Sequence, residues 1–221
     1  MQIQWFGQSA FLFTGTDAKV FVDPFGAGMS ERAQQGGMQW DFPPIEGVDA
    51  DLLLVTHDHF DHNGIEAVGG DPQVLSKPGT HESPIGTVVG INSEHDPVAG
   101  TQRGQNTIFR FELDGIRVAH FGDFGQPALR PEQREALGDV DVIVLPVGEG
   151  PTIPAANAAE LVREVAPKLV VLSHYRTPQI GFLETEDAFV EALGAPVVEI
   201  AGTEATLELP AQLSVLKLTF T

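Results

Sequence analysis

The stretch between Thr56 and Gly64 constrains the structure and chemistry of this 221-residue chain more than any other segment. It reads Thr-His-Asp-His-Phe-Asp-His-Asn-Gly and follows the apolar run Leu-Leu-Leu-Val at 52–55. Neutral imidazole and carboxylate groups suit Zn²⁺ and similar divalent ions, and side-chain packing gives no reason for such a density of them. The segment therefore predicts a strand that runs into a metal site.

Composition is that of a globular protein, with 42% hydrophobic and 19% charged residues. The chain is long enough for one substantial core and short for two, so we predict a single domain over residues 1–221. The amino terminus has no basic region followed by an apolar run, and no apolar stretch approaches the length of a membrane span. We expect a cytoplasmic protein without a membrane partner, and the sequence leaves its oligomeric state open.

Charge and cysteine content restrict the partners. The net charge of −19, from 31 acidic and 12 basic residues, opposes binding of long nucleic acid and favours a small substrate. Bound divalent ions would reverse the sign locally, so a small anion remains a possible substrate. Because the chain has no cysteine, any metal must be held by His, Asp or Glu.

Short apolar, β-branched runs predict strands, and polar residues follow them. The runs are Lys19–Val22, Leu52–Val55, Ile116–Phe121, Val140–Leu145 and Leu169–Ser173. Asp23, His57, Asp123 and His174 come at or shortly after the ends of four of these runs. Since sites in α/β proteins form at the carboxyl ends of strands, we expect one shared site.

Helices and turns are predicted from periodicity and end signals. Ala33–Gly37 is predicted to be an exposed loop, and Asp114–Gly115 the turn of a β-hairpin. The predicted helices are Pro131–Leu137, Ala155–Ala166 and Glu186–Leu193, the last capped by Thr185.

The chain resembles the small zinc-dependent hydrolases of the metallo-β-lactamase superfamily and its lactonase-like branch, and the resemblance extends over nearly its whole length. The His-x-His-x-Asp-His motif at 57–62 is the specific part of it. The weaker segments, in the family's order, are Trp5–Phe11, Val22–Phe25, Ser93–Asp96, His120–Asp123 and Leu172–Tyr175.

The resemblance implies an α/β fold, a four-layer αβ/βα sandwich. It also implies two divalent ions, with zinc the expected metal and manganese or iron as alternatives. One ion would be held by His57, His59 and His95, the other by Asp61, His62 and His174, with Asp123 bridging. Seven candidate ligands are too many for one four-coordinate ion.

Taken singly, three of these residues also fit roles that involve no metal. His95 fits a surface histidine, Asp123 a turn-forming aspartate after glycine, and His174 a buried core histidine. Their convergence with the 57–62 motif favours ligation.

The expected activity is hydrolysis of a small ester, lactone or phosphoester by hydroxide generated from a metal-bound water. Asp61 is the candidate catalytic residue, because its carboxylate can orient that hydroxide and pass a proton to the leaving group. A phosphodiesterase or nuclease of the same fold and a non-catalytic metal-binding protein are the alternatives.

Three further residues are considered for roles other than metal ligation. Asp23 is placed to accept the distal N–H of a ligand histidine, although a simple turn accounts for it equally well. His120, three residues before Asp123, could hydrogen-bond a ligand residue, but a structural role is favoured. His81 is expected to lie in a surface loop.

Two other side chains and one loop have weaker indications. Arg103 is interpreted as either an anion clamp or half of a structural ion pair. Tyr175, the only tyrosine, either polarises a substrate oxygen or packs with its hydroxyl bonded. The segment Gly148–Pro154 is predicted to border the pocket.

Overall fold

The computed structural model describes residues 1–220, which contain fourteen strands and four α-helices. The strands are β1 (Gln2–Gly7), β2 (Ala10–Thr14), β3 (Lys19–Val22), β4 (Leu52–Leu54), β5 (Gln73–Leu75), β6 (Gly79–Ser83), β7 (Gly86–Glu94), β8 (Gln105–Leu113), β9 (Ile116–His120), β10 (Val142–Pro146), β11 (Leu169–Ser173), β12 (Val197–Ala201), β13 (Glu204–Thr206) and β14 (Ser214–Thr219). The helices are α1 (Met29–Gln35), α2 (Pro131–Leu137), α3 (Ala155–Val165) and α4 (Asp187–Leu193).

The strands form two mixed sheets. The first has the order β13-β1-β2-β3-β4-β5, and the second has the order β12-β14-β11-β10-β9-β8-β7-β6. Strands β1, β3 and β4 run in one direction within the first sheet. Strands β7, β9, β10 and β11 share a direction within the second. Each sheet therefore presents several carboxyl strand ends along one edge.

Burial of alternating side chains explains the layers. Inward residues of both sheets form one large core, in which the rings of Phe13 and Phe111 lie 5.3 Å apart. The outward residues Phe21 and Leu53 of the first sheet pack in a smaller core with Ala33 of α1. The apolar face of α3 joins the large core. This is the predicted four-layer αβ/βα sandwich, and removal of this apolar area from water is its main stabilisation.

Most predicted elements agree with the structure to within two residues at their ends, and the hairpin turns at Asp114–Gly115 as expected. The loop predicted for Ala33–Gly37 is wrong over Ala33–Gln35, which belong to α1, where Ala33 is buried one helical turn after the buried Met29. Gly36 and Gly37 form an exposed turn, as expected. Thr185 is not the cap of α4. Glu186 holds that position, and the Thr185 hydroxyl donates to Asp187 instead.

No helix in residues 1–220 has the length and apolar character that a bilayer span requires.

Candidate metal centre

Polar residues gather where strands of both sheets end along the same edge. Each follows the carboxyl end of its strand, with no more than a short turn between. They are Gln8 after β1, Asp23 after β3, residues 57–62 after β4, His95 after β7, Asp123 after β9 and His174 after β11. The parallel directions of these strands bring distant parts of the chain to one place.

One oxygen of Asp123 lies at the middle of this group. Its Oδ2 is 3.0 Å from His95 Nε2, 3.2 Å from His174 Nε2 and 3.3 Å from His62 Nε2. His57 Nε2 is 4.0 Å away. Four imidazoles thus direct nitrogen atoms at a single carboxylate oxygen, and Asp123 itself is almost fully buried.

The seven residues predicted as ligands all come together. Three groups, whose ligand atoms lie within 4.8 Å of one another, are His57, His59 and His95; His57, His62 and Asp123; and Asp61, His62 and His174. The first and third groups correspond to the two predicted ligand sets, and Asp123 lies between them. The geometry is consistent with two adjacent cations that share Asp123.

Asp23 supports two of the histidines. Its Oδ2 is 2.9 Å from His62 Nδ1 and accepts a 2.7 Å hydrogen bond from the Thr56 hydroxyl. The Thr56 oxygen is in turn 3.0 Å from His57 Nδ1. This network favours protons on both Nδ1 atoms and directs Nε2 of His57 and of His62 toward the centre. The supporting role considered for Asp23 is therefore what its contacts provide.

The loop predicted to border the pocket supports a third histidine. The Pro151 carbonyl lies 3.1 Å from His95 Nδ1, which again directs Nε2 inward. Asp123 is held from behind, because its N–H donates to Asn106 Oδ1. Gly122 precedes it at φ +55°, where a Cβ atom would lie 2.6 Å from Thr56 Oγ1. Only glycine fits this approach.

Burial keeps two of the imidazoles neutral. It lowers the pKa of His57 well below the ordinary value, and the nearby His62 lowers that pKa further. Burial, followed by the proximity of His95, also lowers the pKa of His59. Neutral imidazole is the form that binds a metal.

The pKa values of His62, Asp61 and Asp123 favour a protonated, positively charged His62 beside ionised carboxylates. Burial acts to lower the pKa of His62, but Asp123, Asp61 and Asp23 outweigh it and raise that pKa well above the ordinary value. Burial acts to raise the pKa of Asp123 and of Asp61. Neighbouring histidines, chiefly His174, nevertheless hold the pKa of Asp123 below its usual range. His62 does the same for the pKa of Asp61. A divalent cation would provide the same compensation as the proton on His62.

The donor set fits such a cation. Among residues 1–220, Asp23, Asp61 and Asp123 form ion pairs with histidines but not with any lysine or arginine. The buried His62 Nε2 and His174 Nδ1 have no hydrogen-bond partner with good geometry. Buried polar atoms are normally satisfied, so the orphaned His62 Nε2, which faces Asp123, points to a ligand at the centre.

Sequence reasoning missed the role of Gln8. Its Nε2 donates to Asp61 Oδ2 at 3.2 Å, while its buried Oε1 has no partner. Its carbonyl accepts from Trp5 Nε1 and from the His174 N–H, which fixes the backbone. Gln8 follows the end of β1 just as Asp23 follows β3, so its position after a strand was the available signal.

Three of the eight non-glycine residues with positive φ among residues 1–220 lie at this centre. Gln8, Asp23 and His174 have φ values of +52°, +52° and +50°. This left-handed region is unfavourable for residues other than glycine, and such residues are found preferentially at functional sites.

Other candidates have structural roles. His120 is buried, and its ring is 3.1 Å from the Ser9 carbonyl and accepts from the Gly122 N–H. Tyr175 packs against Trp5 and donates its hydroxyl to the Leu218 carbonyl, so it does not face the centre. His81 lies in strand β6, not in the expected loop.

Comparison with known proteins agrees with this geometry. Residues 2–174 match the family model of the β-lactamase superfamily domain. A protein from Methylobacterium nodulans named UPF0173 metal-dependent hydrolase is 31% identical, with 94% of this chain and all of that one covered. A protein of the same name from Thermococcus kodakarensis is 29% identical, with 80% of this chain and 85% of the relative covered.

A solved structure from Thermotoga maritima superposes with a TM-score of 0.79 at 27% identity, over 99% of this chain and 98% of that one. That protein is assigned to the zinc-dependent hydrolases of the metallo-β-lactamase superfamily. From the matched domain, the fold and the convergent histidines and aspartates, the chain belongs to the metallo-β-lactamase superfamily.

Proposed function

We propose that this chain is a metal-dependent hydrolase that binds two divalent cations and cleaves a small ester, lactone or phosphoester. The observation that carries the proposal is the position of Asp123 Oδ2 among four imidazole nitrogens, at 3.0 to 4.0 Å. A carboxylate so placed can bridge two cations, and the names of the sequence relatives support metal-dependent hydrolysis.

His57, His59 and His95 would hold one cation, and Asp61, His62 and His174 the other, with Asp123 shared. Zinc suits neutral imidazole and carboxylate ligands, and manganese and iron are the alternatives. Cations bound there would polarise the scissile group and activate a water molecule as nucleophile.

Asp61 is the residue we assign to proton transfer. Its side chain is 21% exposed, whereas those of Asp123 and His62 are 4% and 0% exposed, so Asp61 reaches toward entering substrate. Gln8 holds its Oδ2, which leaves Oδ1 to accept a proton from the attacking water and return it to the leaving group. General acid–base catalysis of this kind contributes a factor of about 10²–10⁴.

A small substrate, including an anionic one, fits this centre better than long nucleic acid. The net charge of −19 repels an extended polyanion, while two cations against Asp61 and Asp123 leave the centre itself positive.

Metal analysis and a substrate panel test the proposal together. We expect close to two metal ions per zinc-loaded chain, and turnover of at least one ester, lactone or phosphodiester that chelation abolishes and metal restores. Asp123→Asn should lower metal content and abolish turnover. Binding of two ions with no turnover on the whole panel would favour a non-catalytic metal-binding protein, and a single ion at saturation would contradict the binuclear assignment.

A further inference from the structure

A separate cavity adjoins the candidate metal centre. It has a volume of about 280 Å³, and His57 and His59 form part of its wall. The opposite walls come from residues 76–78, which follow β5, and from the start of β8 with the loop before it. Lys77 and Arg103 line these walls.

The two basic residues have no acidic partner. Within residues 1–220, neither Lys77 nor Arg103 lies within ion-pair distance of a carboxylate, although acidic residues outnumber basic ones by 31 to 12. One carboxylate, Asp58, also lines the cavity, and its Oδ1 already accepts a 2.9 Å hydrogen bond from Asn63. The positive charges of Lys77 and Arg103 outweigh the single negative charge of Asp58, so the wall is positive before any metal is counted.

The backbone at both Arg103 and Lys77 is held in place. Buried Asp96, directly after the ligand His95, accepts hydrogen bonds from four backbone N–H groups of the following loop, including that of Arg103 at 2.8 Å. His81 Nε2 lies 2.9 Å from the Lys77 carbonyl and can donate to it. A fixed backbone limits where the exposed side chains of Arg103 and Lys77 can reach, which lowers the entropic cost of ordering them around a ligand.

We propose that this cavity binds a second, non-reacting carboxylate or phosphate group of the substrate, through Arg103 and Lys77. The proposal rests on the proposed function, because it places the scissile bond at the adjacent cations. The volume lies just below the range of about 300–1,000 Å³ common for ligand pockets, so the anionic portion is small. Arg103 offers the planar donor geometry that matches either oxyanion.

Matched esters test this proposal on the zinc-loaded full chain. We would compare neutral 4-nitrophenyl butyrate with anionic mono-4-nitrophenyl succinate on wild type, Arg103→Gln and Lys77→Gln. Arg103→Gln should raise KM for the anionic ester by about 10–100-fold, the usual effect of losing a charge-assisted hydrogen bond, and change that for the neutral ester less than twofold. Arg163→Gln and Lys19→Gln, which make the same charge changes at exposed positions on α3 and β3, serve as controls.

Equal effects on both esters, or an anionic effect matched by the controls, would overturn the proposal. Calorimetric titration of succinate and of inorganic phosphate gives a second readout that needs no turnover. Affinity for one of them should fall about tenfold or more in Arg103→Gln, and which one falls identifies the group as carboxylate or phosphate. Affinities unchanged by the substitution would overturn the subsite even if hydrolysis is observed. A chain that hydrolyses nothing but shows Arg103-dependent binding would reject the proposed function alone.

Discussion

The two ends of strands β9, β10 and β11 each bury an aspartate and treat its charge differently. At the amino ends, Asp141 accepts from Arg117 Nε at 2.9 Å and lies 3.3 Å from Lys168 Nζ. At the carboxyl ends, Asp123 has only imidazoles as charged partners among residues 1–220. The pKa of each carboxyl lies below its ordinary range, that of Asp141 chiefly through the Arg117 hydrogen bond.

The first aspartate is neutralised by permanently charged side chains, whereas the second has only imidazoles, whose charge depends on protonation and which can instead hold a divalent cation with it. The volume of a nearby cavity does not distinguish the two strand ends. A cavity of about 590 Å³, larger than the one beside the metal centre, lies near the amino end of β9, beside Asp17, Arg110 and Glu112. None of the three ligand groups found in residues 1–220 borders it. The type of charged partner around a buried carboxylate is therefore a better guide to the site than the volume of a nearby cavity.

Substitution of Asp61 should have the largest effect on activity among four changes that test this comparison. Asp61→Asn keeps the shape but removes the charge and the proton acceptor, so kcat should fall by about 10²–10⁴ with KM less affected. Kinetics on one substrate, with metal content measured for each variant, provides the check. Near-normal kcat with both metals retained would show that another group transfers the proton.

Gln8→Asn should have the next largest effect. Asparagine tolerates the left-handed backbone, but its shorter amide cannot reach Asp61. We expect kcat to fall about 10–100-fold, the usual cost of losing a contact that orients a ligand, with an altered pH–rate profile. Gln2→Asn, at an exposed position on the same strand, is the matched control. Equal kcat values in the two variants would show that the contact between Gln8 and Asp61 does not contribute to the reaction.

His120 tests whether a buried histidine beside the centre is purely structural. Burial lowers its pKa from the ordinary 6.5 to about 4, so below pH 6.5 the unfolded chain binds a proton that the folded chain does not. The free energy of unfolding should therefore fall by up to about 3 kcal/mol as pH falls from 6.5 to 4.

In His120→Gln this part of the pH dependence should disappear, while kcat at pH 7 changes only a few-fold. Urea unfolding of wild type and variant, both with chelator, isolates the difference, because the other histidines are common to both. Identical pH slopes would mean that His120 is protonated in the folded chain as well.

Asp141→Asn should have the smallest effect on activity, less than twofold. Stability should nevertheless fall by about 1–2 kcal/mol, since a hydrogen-bonded ion pair is lost but the exposed parts of Arg117 and Lys168 are screened by solvent. Thermal unfolding and kinetics of the same preparation measure both. A large loss of kcat without loss of stability would mean that Asp141 serves the reaction and not the stability of the fold, which would contradict the contrast between the two strand ends.

The full set of candidate ligands was predicted from the family resemblance, and residue type with position after strands supported it. His57, Asp123 and His174 lie far apart in sequence, yet parallel strands bring their carboxyl ends together. The supporting contacts were less accessible. The Pro151 carbonyl that orients His95 is a backbone group without a residue-type signal, and the contact of Gln8 with Asp61 joins residues 53 positions apart.

Helix α1 was the other failure. It has seven residues, as do α2 and α4, too few for periodicity to identify it, and unlike α2 it has no proline to mark its start. The position of Arg103 could not be predicted either. Whether it forms an ion pair or lines a cavity depends on residues that only the fold brings close to it.

The left-handed backbone at Gln8, Asp23 and His174 has an evolutionary consequence. Each such residue costs roughly 1–2 kcal/mol relative to glycine. A selection for heat resistance alone would therefore reward glycine at these positions, and the resulting proteins would unfold at higher temperature while losing a ligand or its support. At these three positions, selection for stability and selection for the chemistry of the centre act in opposite directions.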